Sequence, residues 1–161
     1  MREPKFRGFS IETNSWHYGH GWFKCDYTEE YKQEKGITDN AILYTDGSPV
    51  ECELKSMGQF IGRLDQNGKE IFAGDIMRRE FEISRDIIDP VSLGFVDREI
   101  EESGYFIGVV NYRPSEGFVL NKCKKFNEDG EIISQLSGVK IYPKYATVIG
   151  NIYENPELIN S

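Results

Sequence analysis

Gly58-Gln-Phe-Ile-Gly-Arg-Leu-Asp-Gln-Asn-Gly-Lys-Glu-Ile-Phe-Ala-Gly-Asp-Ile-Met77 is the stretch whose reading decides the fold. Phe60, Gly62 and Leu64 share one parity of an extended run, and Gln59, Ile61 and Arg63 share the other. Alternation therefore predicts a strand with Phe60 and Leu64 on one face. Asp65-Gln66-Asn67-Gly68 reads as a tight turn, because Asn-Gly supplies the positive φ angles a hairpin needs. Lys69 to Phe72 is a short return strand, Ala73-Gly74-Asp75 a second break, and Ile76-Met77 the start of the next strand. Two turns with brief strands between them imply a sharply folded meander, which suits a small, strongly curved barrel better than a wide flat sheet. Asp75, an acid beside a glycine, is open to reading as a base or a metal ligand. No second carboxylate or His sits at ligand spacing, so capping of backbone N–H groups in the turn is the favoured reading.

The chain of 161 residues is of single-domain size, residues 1–161, and is long enough to bury a core without disulfides. Aromatic residues reach 13%, a richness that favours strands and serves either a core or an interface. A formal net charge of −8 weighs against nonspecific binding to nucleic-acid phosphates. Lys122, Lys124 and Lys125 form a short basic cluster, which Lys140 and Lys144 would extend only if all five share a face. Cys25, Cys52 and Cys123 are odd in number, widely spaced and without a Cys-x-x-Cys, so reduced thiols in a cytoplasm are the simplest account. No apolar signal segment follows Met1, and no run approaches the length of a membrane-spanning helix, so a cytoplasmic location without membrane attachment is expected.

Working outward, Lys5 to Ile11 alternates as a first strand with Phe6 and Ile11 inward. Ser15 to Phe23 is an aromatic cluster with two glycines, read as packing around a loop or as a subunit contact. Its Trp16, Tyr18, Trp22 and Phe23 are the candidate interaction surface. His17 and His20 lie three apart, but without a helix to align them or a third ligand nearby they do not make a metal site. Asp26 to Lys35 predicts a helix, capped by Asp26 with Glu29 three residues on and stopped by Gly36. Asp46-Gly47 between Ala41–Tyr44 and Val50–Leu54 signals a hairpin.

Beyond Met77 the chain becomes acidic and poorly alternating. Asp89-Pro90 reads as a helix start, Leu93, Val96 and Ile100 recur at helical spacing, and Gly104 ends the segment. Residues 78–104 are therefore expected to be a partly helical insertion between barrel strands, with a solvated acidic face. Tyr105 to Tyr112, Phe118 to Leu120, Glu131 to Leu136 and Ala146 to Ile149 read as strands, with Ile107 and Val109 on one face. A terminal turn or short helix follows Asn151.

Three pieces of the chain, Met1 to Phe9, Gly58 to Met77 and Thr147 to Leu158, resemble the opening, the central hairpin and the C-terminal signature of the YopX-like proteins of phages and prophages. The resemblance covers about a quarter of the chain and passes over 10–57 and 78–103. It implies a mainly β fold, a small SH3-like barrel core with helical additions, α+β overall. It carries no catalytic residues, so Asn67, Gly68, Gly74, Asp75, Gly150 and Asn155 read as structural.

No phosphate loop, nucleophile elbow or His-Glu-x-x-His occurs, and no catalytic residue, cofactor or metal is called for. The expectation is a noncatalytic protein that engages itself, as a homo-oligomer, or a phage or host protein. A nucleic-acid accessory role is the alternative. An enzyme would need a carboxylate pair assembled from residues distant in sequence.

Overall fold

The computed structural model describes residues 4–88, 91 and 94–160. Among these residues the strands assemble into three sheets. The first runs β2-β1-β6-β7, built from β1 (Phe6–Ser10), β2 (Ser15–Gly19), β6 (Gly58–Leu64) and β7 (Glu70–Phe72). The second runs β11-β10-β9-β8-β12. It contains β8 (Asp75–Ile88), β9 (Phe95–Arg113), β10 (Gly117–Asn127), β11 (Ile132–Leu136) and β12 (Ala146–Asn151). The third runs β3-β4-β5, from β3 (Gly21–Lys24), β4 (Asn40–Tyr44) and β5 (Val50–Glu53). The fold is mainly β, and its sheets curl into a half-barrel.

The central hairpin forms as its turn chemistry dictates. Gly68 has φ of 81°, a conformation that a side chain disfavours. Asp65 completes the turn: its Oδ1 accepts from the N–H groups of Asn67 at 2.8 Å and Lys69 at 2.9 Å. Its Oδ2 accepts from the N–H of Val148 on β12 at 3.0 Å, so one carboxylate ties the hairpin to the second sheet. Phe60 and Leu64 lie opposite Phe72 and Glu70, two apart on β7, but the alternation between them is interrupted. Gly62 has φ of 85°, and the β6–β7 register shifts between Phe60 and Leu64. That irregularity breaks strict alternation. Ile61 packs against the core instead, while Leu64 is exposed.

The larger correction concerns residues 78–104. The described part is strand, not helix: β8 pairs with β9 from Ile76↔Val109 to Ile88↔Phe95. Asp89, Pro90 and Leu93, on which the helical reading leaned, lie outside the described residues. β-branched and aromatic residues recur on both arms, and pairing along the whole length of two strands outweighs a sparse 3.6 period. The Ser15 to Phe23 cluster likewise forms β2 and β3 rather than a loop. The helix α1 (Glu29–Lys35) starts later than expected. Thr28, not Asp26, is its cap, accepting from Tyr31 N–H at 3.1 Å, and Gly36 ends it in the left-handed conformation.

The core lies between the first two sheets. Ile71, Met77, Phe106, Val110, Leu120 and Ala146 are buried together, and each such side chain contributes roughly 1.5–3 kcal/mol relative to exposure. Phe106 and Val110, rather than Ile107, face this core from β9; Val109 is buried on the opposite face beside Ile76. In β1, Arg7 and Ser10 are buried, Phe6 is half-buried, and Ile11 lies outside the strand and is exposed. Arg7 Nη2 sits 2.7 Å from Asp75 Oδ1, and Asp75 Oδ2 accepts from Phe72 N–H at 2.8 Å. Asp75 thus caps its turn, as the sequence suggested, and also neutralises a buried arginine. The Arg7 guanidinium lies between the rings of Trp16 and Phe72, 4.8 Å from each centroid.

The chain ends close on this centre. Tyr153 packs against Phe9 at 5.3 Å and Trp16 at 5.8 Å between ring centroids, and Ile152 N–H donates to Gly74 O. Asn155 Oδ1 accepts from Asn151 N–H at 3.2 Å, which sets the terminal bend before the short 3-10 turn Pro156–Leu158.

Two stability outcomes are expected. Burial alone would raise the Asp65 carboxyl, but the N–H groups of Val148, Lys69 and Asn67 outweigh it and hold the group below its ordinary 3.8. A carboxylate so depressed contributes stability that is present above pH 3.8 and is lost as the pH falls through the folded value. Asp65→Ala should cost about 2–4 kcal/mol in urea unfolding at neutral pH, and Asp65→Asn should flatten the acid limb of the stability profile. Asp75→Ala should cost roughly 3–5 kcal/mol by leaving Arg7 buried without a counter-charge. The double change Arg7→Met with Asp75→Leu should recover most of that loss, and the four-member cycle measures it.

Candidate binding surfaces

The structure separates the four aromatic residues that the sequence groups together. Trp16 pairs with Phe9 across β1 and β2, meets Tyr153, and donates from Nε1 to Glu154 Oε1 at 2.7 Å. It joins the two ends of the chain. Tyr18 leans on Phe72 with 5.7 Å between ring centroids, under Lys5 Nζ at 5.5 Å. Trp22 and Phe23 sit on β3, the open edge of the third sheet. Being consecutive, they point to opposite faces. Trp22 lies opposite the buried Leu43, whereas Phe23 shares its face with Tyr44, 5.8 Å away between ring centroids. Trp22, Phe23 and Tyr44 are 38%, 49% and 44% exposed. An unpaired strand edge flanked by exposed aromatic rings is a surface able to take another chain.

A second feature lies over the long β8–β9 hairpin. The core face of β8 carries Met77, Arg79 and Phe81 in alternation, opposite Gly108, Phe106 and Gly104 of β9. Met77 ends inside the core. Arg79 and Phe81 instead line a cleft of about 960 Å³, together with Phe106, Tyr142 and Tyr145. Arg79 is 9% exposed. Its Nη1 donates to the Lys140 carbonyl, and its guanidinium lies 4.6 Å from the Phe106 centroid and 5.0 Å from that of Tyr142. Its Nε has no acceptor among the described residues. Burial pulls the Arg79 guanidinium down from its usual range. Sequence reading missed this residue, although the parity of Met77, Arg79 and Phe81 is the signal that places a charge between two apolar neighbours.

The other candidates are held in local structure. His17 Nε2 bonds Thr13 Oγ1 at 2.7 Å, and His20 Nδ1 lies 3.8 Å from Asp46, so the two histidines serve different loops. No group of three or more His, Cys, Asp or Glu able to hold a metal occurs among the described residues. Cys25, Cys52 and Cys123 are buried free thiols. Burial pushes Cys52 and Cys123 up to about 11, which keeps them protonated. The five lysines do not make one strip. Lys124 and Lys125 are consecutive on β10 and face opposite ways, and Lys125 pairs with Glu102 at 3.0 Å. No helix among the described residues is long and apolar enough to cross a membrane.

Comparison with known proteins gives one family and little else. No curated protein matches the chain. Among solved structures, the crystal structure of protein EF1440 from Enterococcus faecalis aligns over 98% of each chain at 21% identity with a TM-score of 0.38, a likeness that reaches neither residue roles nor activity. The family model described as YopX protein matches residues 5–160, and the chain belongs to that family.

Proposed function

We propose that the chain is a noncatalytic interaction protein, prophage-encoded and cytoplasmic, that binds a second copy of itself or a phage or host protein through the β3 edge. The observation that carries this reading is the exposure of Trp22, Phe23 and Tyr44 around an unpaired edge strand. Backbone N–H and C=O groups along such an edge supply affinity, and aromatic side chains on either face supply anchors. Two of the buried carboxylates support the same reading, since Asp65 and Asp75 are both engaged in structural bonds. The SH3-like barrel remains our reading of the curled sheets, and it favours peptide binding only as an analogy of fold.

Two measurements test this. Light scattering reads self-association, and affinity purification from a lysogenic host with mass spectrometry reads hetero-association. Trp22→Ser with Phe23→Ser should lower affinity roughly thirtyfold or more in whichever assay shows binding, with the melting transition retained. A monomeric wild-type chain that recovers no protein at stoichiometric yield overturns the proposal. So does a partner whose affinity ignores both substitutions.

A further inference from the structure

Among the described residues two arginines are buried, Arg7 and Arg79, and their charges are treated differently. Arg7 faces Asp75 at 2.7 Å. Arg79, 9% exposed, has no carboxylate partner among the described residues. Buried charges in proteins are normally paired or wait on a ligand, because desolvation of an unpaired ion is costly. The position of Arg79 points to the second case. It stands where the apolar core of the half-barrel gives way to the cleft of about 960 Å³, a volume typical of small-molecule sites.

The surroundings define the ligand. The rings of Phe106 and Tyr142 lie against the guanidinium, and Nη1 is committed to the Lys140 carbonyl. This clamps the group at three points; Nε is enclosed without an acceptor, and Nη2 has no hydrogen-bond partner among the described residues, so Nη2 is the donor left to the cleft. A planar fork held in this way suits a carboxylate or a phosphate, which share the geometry of paired oxygens. The adjoining wall is Phe81, Tyr142 and Tyr145, apolar and aromatic. Neighbouring cations are largely answered: Arg78 pairs with Glu80 at 2.8 Å and Lys125 with Glu102 at 3.0 Å. Glu82 and Glu128 also line the cleft, which disfavours a polyanion. We propose that the cleft over the β8–β9 hairpin binds a small organic molecule bearing one oxyanion, carboxylate or phosphate, on an apolar or aromatic body, with Arg79 holding the oxyanion.

This site is separate from the β3 edge, and its test is independent of partner binding. The Arg Nε–H resonances of the 15N-labelled chain are followed during titration with phenyl phosphate, benzoate and inorganic phosphate. Saturable movement of the Arg79 signal by phenyl phosphate or benzoate, at lower concentration than by inorganic phosphate, is the expected result, and the tighter of the two identifies the oxyanion. Arg79→Met should weaken that probe at least about tenfold, as the loss of a charge-assisted hydrogen bond requires. Arg79→Lys, which keeps the charge without the fork, should fall between. Lys122→Gln, outside the cleft, should change nothing. The proposal is overturned if neither aromatic probe moves the Arg79 signal saturably, a reading taken on the wild-type chain that does not depend on the variants folding. It is equally overturned if Arg79→Met, folded, binds as the wild type does.

Discussion

The Arg7–Asp75 pair is the contact on which the rest of this structure turns. Asp75 is 1% exposed and opens β8, the strand that starts the second sheet. Arg7 is the second residue of β1, in the first sheet. One carboxylate therefore joins two sheets, and it also accepts from Phe72 N–H to hold the turn between β7 and β8. Burial raises the Asp75 carboxyl against the opposing pull of Arg7 and the Phe72 N–H. An ion pair in so dry a place offers little net stability over well-packed apolar groups. Its value is geometric. With the rings of Trp16 and Phe72 on either side of the guanidinium, one relative placement of the two sheets satisfies the pair, and alternatives leave a charge unanswered.

Around that pair the three sequence pieces that carry the family resemblance meet. The opening piece supplies Arg7 and Phe9, the central piece supplies Asp65, Gly74 and Asp75, and the closing piece supplies Val148, Ile152 and Tyr153. Val148 N–H donates to Asp65 at 3.0 Å, Ile152 N–H donates to Gly74 O, and Tyr153 packs against Phe9 with its ring tilted. Segments far apart in sequence thus form one cluster of charge-to-backbone bonds and ring contacts. The resemblance is strongest where side chains have structural duties that few substitutes can perform.

This also explains what was legible in the sequence and what was not. Turn chemistry was readable: Asn67-Gly68, Asp46-Gly47 and the Gly36 stop all lie where local backbone demands place them, because those demands are set by neighbouring residues. The Asp75 cap was readable for the same reason. Facing was less so, since the positive φ at Gly62 and the register shift around it interrupt the alternation of β6. The helical reading of 78–104 failed because periodicity in a short window cannot register a partner strand. Ile83 finds Glu102, and Phe81 finds Gly104, only through long antiparallel pairing. Of the candidate surface, aromatic content was visible, but its division was not. Trp16 and Tyr18 make ring contacts with Tyr153 and Phe72, which are distant in sequence, although Tyr18 stays half-exposed, while Trp22 and Phe23 lie on an edge.

The same hairpin that defeated the sequence reading also creates the cleft. β8 and β9 continue past the point where the first sheet can cover them, so their inward parity passes from Met77, enclosed in the core, to Arg79 at its boundary and Phe81 beyond. Arg79 there carries a desolvation cost that no carboxylate partner among the described residues offsets. One buried arginine has its charge matched by an aspartate that also holds a turn, although its Nε, like that of Arg79, meets no acceptor among the described residues. Where the other is gripped by two rings and a carbonyl but left without a counter-charge, the packing orients the guanidinium without neutralising it. Orientation without neutralisation is the arrangement a protein uses for a charge that is completed from outside the chain.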